Sequence, residues 1–392
     1  MAVGSARERQ GWVSQRALSV PPSKIRRMFN RAAELPDVIN LAVGQPDFDT
    51  PRHVLEAARR AAEDGHTKYT HGLGIPELRE AAAHKVRTRN AIPVERDWMA
   101  ITVGAMEGII LAMLTVLQPG DEVLIPDPGY TNFAGQVLLA GATPVSYGLE
   151  PPDYEINEAV LRASLSERTT AILLCSPSNP TGAVLDRRSI EIVAKIAIEH
   201  DLLVFSDETY EDLIYEGEHL SIGSLPGMAE RTVSIFSLSK SFAMTGWRVG
   251  YVAAPPEVIT TMNALQEHVV SCASSVSQHA GLAALTGPLD CVIEMRTVYD
   301  RRRRWLVDAL NAIDGFTCPL PRGAFYVFPD ISAIDPSADH FADWVLDEAR
   351  VAIVPGTAFN TRGEGHVRIS YAASLEALEG GLERIEAALA RR

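Results

Sequence analysis

The sequence predicts an α/β protein with a mostly parallel sheet in a large domain and a smaller α+β domain after it. Three observations predict this. Short apolar runs alternate with amphipathic segments through the middle of the chain. The texture changes after about residue 287. The polar residues best suited to chemistry fall at the ends of the apolar runs. Such alternation suits a sheet covered on both faces, because each crossover helix must bury one stripe against it. With 392 residues, 46% apolar and 22% charged, the chain is globular in composition and long enough for two domains.

Taken in order, residues 1–46 read as an N-terminal arm, broken at Pro21-Pro22, that also contributes to the small domain. Residues 47–286 read as the large domain. Within it AITVG (100–104), EVLIP (122–126), AILLC (171–175), LLVFS (202–206), TVSIF (232–236) and RVGYVA (248–253) have the length and branching of buried strands. RRSIEIVAKIAIEH (187–200) repeats apolar residues every three or four positions, as a helix packed on a sheet does. Residues 287–392 read as the small domain: a long polar helix, then GAFYVFP and HVRISYA as strands. RRRR at 301–304 lies within the helical pattern and reads as a charged helix face.

Ligands of open α/β sheets collect beyond the carboxyl ends of the strands. Gly104, Ala105 and Met106 follow the first run and open a helix, so their amides suit a phosphate. Asn179 follows AILLC, Asp207 and Tyr210 follow LLVFS, and Ser237 and Lys240 follow TVSIF, with Arg248 eight residues on. Taken singly, such residues are most often turns and caps. Together they suit pyridoxal 5′-phosphate. Lys240 would condense with its aldehyde as a Schiff base. Asp207 would keep the pyridine nitrogen protonated, so that the ring can take up electrons. Asn179 and Tyr210 would hydrogen-bond the phenolic oxygen, and Tyr130, in PDPGYTNF, would stack on the ring. Gly104, Ala105, Ser237 and the planar fork of Arg248 would hold the phosphate.

The same residues lie in motifs that resemble the class I pyridoxal-phosphate aminotransferases of fold type I, in the bacterial and archaeal group of aspartate and aromatic amino-acid aminotransferases. The resemblance runs from about Pro22 to the C-terminus. It includes LAVGQPDFDTP (41–51), KYTHGLGIPELREA (68–81), GDEVLIPDPGY (120–130), SPSNPTG (176–182), SDETYEDLIY (206–215), SLSKSFAMTGWRVGY (237–251), PRGAFYVFP (321–329) and VPGTAFNTRGEGHVRISYA (354–372). It implies that Lys240 is the Schiff-base and proton-carrying lysine, with Asp207, Tyr210, Asn179, Tyr130, Ser237 and Arg248 at the cofactor. Arg368, which alone would read as an edge arginine of a strand, becomes the residue that grips the substrate α-carboxylate, and Gly44 a glycine whose backbone approaches the substrate. Tyr69 matches a tyrosine that reaches the neighbouring subunit's phosphate, so a homodimer with shared sites is implied. Met106 departs from the pattern, because relatives often carry a hydroxyl there. Its backbone N–H remains.

The implied reaction moves the amino group of an L-amino acid to a 2-oxo acid, with 2-oxoglutarate expected, in two half-reactions. An apolar or aromatic donor is preferred, because the resemblance places a second arginine of dicarboxylate-specific relatives around SCASSVSQHAG (271–281), which has no arginine or lysine. The alternatives are aspartate transfer, or a β-eliminating carbon–sulfur lyase on the same residues. A regulatory module is disfavoured. The net charge of −14 argues against nucleic acid. Four scattered cysteines and the absence of a secretory leader or an 18-residue apolar run point to a cytoplasmic chain off the membrane. His53, His66 and His71 lack metal spacing. Glu208 should point away from the face that Asp207 occupies.

Overall fold

The computed structural model describes residues 12–392. Its centre is a seven-stranded sheet. In spatial order the strands are Met99–Thr102, Gly250–Ala253, Thr232–Ser237, Leu203–Asp207, Thr169–Cys175, Glu122–Asp127 and Thr143–Gly148. Gly250–Ala253 runs antiparallel to both neighbours, and the other pairs are parallel. The central strands are apolar on both faces because helices cover both; every residue of Thr232–Ser237 and Glu122–Asp127 is buried. Among the covering helices are Gly104–Val116 and Arg187–Glu199.

Sequence reasoning found no strand at Thr143–Gly148. This edge strand is only partly covered and carries Pro144 and Gly148, so it lacks the apolar run that marks its neighbours.

Towards the C-terminus, Val367–Ser370 pairs antiparallel with both Val354–Pro355 and Tyr326–Val327. Ile39–Asn40 pairs in parallel with Val351–Ala352, which ties an early segment of the chain to a late one. The long helix Asp290–Asn311 buries Val292, Met295, Tyr299, Arg303, Leu306 and Leu310, spaced three or four apart. The reading of RRRR as a charged helix face is therefore corrected at Arg303. Arg303 occupies a core position of that stripe, fully buried, and is held by Asp300, Glu216 and the Pro321 carbonyl. Arg302 donates to Asp47 at 2.8 Å, and Arg301 and Arg304 are exposed. Among the described residues no helix is long and apolar enough to cross a membrane.

Candidate active site

A cavity of about 320 Å³ opens at the carboxyl ends of the parallel strands. Lys240 stands in the short helix Leu238–Ser241, which starts where Thr232–Ser237 ends. Ser237 caps this helix, its hydroxyl accepting from the Ser239 N–H at 3.2 Å. The half-buried Lys240 Nζ donates to the Gly44 carbonyl at 2.6 Å and lies 5.8 Å from the Tyr210 ring centroid. Burial, then Arg368 and Arg248, pull its pKa down to about 8, with Asp207 opposing.

Asp207 ends its strand, buried, and accepts the Thr209 N–H at 3.1 Å. Burial pushes its carboxyl above the ordinary range. Tyr210 is buried beside it, and its hydroxyl shares a 2.8 Å hydrogen bond with that of Tyr326. Burial raises the Tyr210 pKa well above its usual value, so the phenol stays protonated.

Arg368 is 2% exposed. It donates to Asn179 Oδ1 at 2.9 Å and to the Ala42 carbonyl at 2.6 Å, and lies 4.3 Å over the Tyr326 ring. Its Nε is buried with no partner. No carboxylate among the described residues forms a salt bridge with it, so a guanidinium charge lies buried without an anion.

Gly104 begins the helix Gly104–Val116 with φ +74°, where a side chain is strained. A Cβ there would fall 2.5 Å from Arg248 Nη2. Arg248 donates to the Thr245 carbonyl at 3.0 Å and faces the same helix start. Ala105, Met106 and Tyr130 line the cavity too, and the Tyr130 hydroxyl accepts from Asn132 at 3.0 Å. Gly44 lies so close to Tyr326 that a Cβ would sit 2.1 Å from its hydroxyl. Tyr69 stays outside the cavity, 87% exposed.

Sequence reasoning missed Tyr326 and Thr209, which also line the cavity. Tyr326 sits in an apolar strand motif and looks like core. Thr209 sits between two residues already singled out. Ile25, from the helix Lys24–Glu34, closes one wall and carried no signal at all.

The family model for aminotransferase class I and II matches residues 36–385. The chain belongs to this family. It is 44% identical to an aspartate aminotransferase of Pyrococcus abyssi, over 96% of this chain and 98% of that one. It is 42% identical to aromatic-amino-acid aminotransferase 2 of Thermococcus litoralis, over 96% and 98%. Among solved structures, the aspartate aminotransferase from Thermus thermophilus with maleate superimposes with a TM-score of 0.93 at 40% identity, covering 96% and 100%. Aminotransferases of this class use pyridoxal phosphate, and this cavity fits it. Among the described residues Asp207 is buried and in no salt bridge, which suits a protonated ring nitrogen. Thr209 Oγ1 is buried without a partner, and a side chain at Gly104 would collide with Arg248, so glycine lets that guanidinium lie against the helix start.

Proposed function

We propose that this aminotransferase takes the amino group from an apolar or aromatic L-amino acid and passes it to 2-oxoglutarate, with Lys240, Asp207 and Tyr210 as the catalytic residues. When bound, the cofactor supplies an aldehyde for the amine and a ring that takes up the electrons released at the substrate Cα. Lys240, with a pKa near 8, has an appreciable neutral fraction at physiological pH and can accept the α-proton on Nζ and return it. Asp207 holds a proton on the ring nitrogen, and Tyr210 and Asn179 donate towards the phenolic oxygen. Ser237, Arg248 and the amides at Gly104, Ala105 and Met106 hold the phosphate, and Tyr130 covers the ring. Arg368 binds the α-carboxylate, and Gly44 keeps the wall beside it thin.

The observation that carries the substrate reading is the division of the cavity. Lys240, Arg248 and Arg368 are its only cations among the described residues, each with a task already. Ile25, Val43, Met106 and Ile109 form apolar wall. Burying an apolar side chain contributes about 1.5–3 kcal/mol, whereas an exposed ion pair contributes about 0.2–1 kcal/mol. A further cation, Arg26, lines the adjoining cavity that shares Ile25, Val43, Gly44, Gln45 and Tyr130 with this one; it is exposed and stacked 5.3 Å over Phe29. It is the group that the distal carboxylate of 2-oxoglutarate would meet. It also favours a second reading, aspartate as donor, as do the names of several relatives. The test is Arg26→Ala. The KM for 2-oxoglutarate should rise about threefold, as an exposed pair allows, while the KM for phenylalanine stays unchanged. A wild-type enzyme that ignores phenylalanine and uses aspartate supports the second reading instead.

A further inference from the structure

The turn that carries Asp207 and Tyr210 has a second, inward face. The Glu208 N–H donates to the Ile235 carbonyl at 2.9 Å, Glu211 N–H to Glu208 at 3.1 Å, and Leu213 N–H to Tyr210 at 2.8 Å. Asp207, Thr209 and Tyr210 line the cavity, while Glu208, Glu211 and Asp212 point behind it. There Glu211 pairs with Lys85 and Asp212 with Arg89, both from the helix Pro76–Arg89. Glu208, its side chain 1% exposed, pairs with His219 Nε2 at 2.7 Å and accepts from Ser221. Asn90 joins the pairs, donating to Glu211 at 2.7 Å and accepting from Lys85 at 2.9 Å. From the sheet, Phe236 and Tyr251 face Lys85 at 4.3 and 5.8 Å.

Three carboxylates, Glu208 and Asp212 buried and Glu211 partly so, therefore face Lys85 and Arg89. His219 is the remaining basic group, paired with Glu208; burial pushes the Glu211 carboxyl up against the pull of Lys85. We propose that His219 is a positioning residue for the cofactor site: as an imidazolium it balances Glu208 and so holds the turn that presents Asp207 and Tyr210. A buried carboxylate stripped of its partner carries an uncompensated desolvation cost. It would also lie one residue from Asp207 and push that carboxyl towards protonation, the state that cannot hold a positive ring nitrogen. Burial pulls the His219 pKa down, but the Glu208 hydrogen bond and charge outweigh it and leave it raised. The carboxylates and His219 come close enough together to suggest a metal, but Lys85 already places its charge on Glu211.

The sign follows from the raised value. The stabilisation is complete below the ordinary histidine pKa of about 6.5 and is lost as pH rises through the higher folded value. This rests on the reading of Asp207 and Tyr210 as cofactor partners, and the test separates the two. Histidine-labelled holoenzyme is followed by NMR, and cofactor release by dialysis, in wild type, His219→Gln and Glu208→Gln/His219→Gln. The expected result is a resonance absent from His219→Gln that titrates above 6.5. Cofactor affinity should fall about tenfold in the single variant, the scale of coupling within one buried network, and be largely restored in the double variant, whose buried charges balance again. A His219 that titrates at or below 6.5, a double variant no better than the single, or stoichiometric metal in the purified protein would overturn the proposal. If Asp207→Ala leaves the cofactor's absorption spectrum and its electron uptake unchanged, it is the cofactor-site reading that fails.

Discussion

At Lys240, burial and two guanidinium groups act in the same direction. Its amine loses its proton near pH 8 in the folded chain and near 10.4 when unfolded. Between those values the native state binds fewer protons than the unfolded one, so this group makes stability rise with pH across that window. Below about 8 the full cost of the buried charge is present. Capture of free pyridoxal by Lys240 in the apo-protein should follow the neutral amine, with a midpoint near pH 8. Removing a facing charge in Arg368→Leu should move that midpoint upward. A wild-type midpoint near 10.4 would show that the cavity does not tune this lysine. Arg368 shows the complementary case, a buried cation with a free Nε. The sequence placed it on a strand but could not say that both its sides were covered.

Among the elements, the start of the helix Gly104–Val116 is the most exacting. Gly104→Ala would put a methyl group at positive φ and 2.5 Å from Arg248. The strain costs about 1–2 kcal/mol. Because Arg248 must move, cofactor affinity should fall by about tenfold or more, while the melting temperature of the apo-protein drops only a few degrees. Affinity equal to wild type would remove the phosphate role of this helix start. Legibility in the sequence varied with burial. The central strands were readable because two covered faces make continuous apolar runs. The residues at their ends were readable because polar side chains there interrupt an otherwise apolar pattern. Thr143–Gly148 was hidden because an edge strand keeps one side wet. Arg303 was misread because an arginine satisfied by Asp300, Glu216 and a carbonyl can fill a core position that composition alone assigns to water. Tyr326 reached the cavity through chain folding over more than a hundred residues, from Tyr210 to its hydroxyl partner. Local pattern cannot encode that.

For the whole molecule, the exposed Tyr69 bears on assembly. A tyrosine with 87% of its surface in solvent gains nothing from its own chain. The family resemblance gives it a partner's cofactor to reach, and we propose a two-fold homodimer with shared sites. Mixing a Tyr69→Ala chain with a Lys240→Ala chain should restore part of the activity, because one of the two hybrid sites then has both residues. No gain on mixing, or a monomer in sedimentation, would contradict the shared site.

Whether this cavity takes the amino group from an apolar or aromatic donor is decided by a single-turnover panel. Wild-type holoenzyme is mixed with each amino acid, without any oxo acid, and loss of the absorption band of the lysine-bound cofactor is timed. Lys240→Ala is carried as the control that should show neither band nor turnover. Phenylalanine, tyrosine or leucine should react fastest, ahead of aspartate by about tenfold, which is ~1.4 kcal/mol of transition-state preference. Aspartate reacting fastest by the same margin would contradict it.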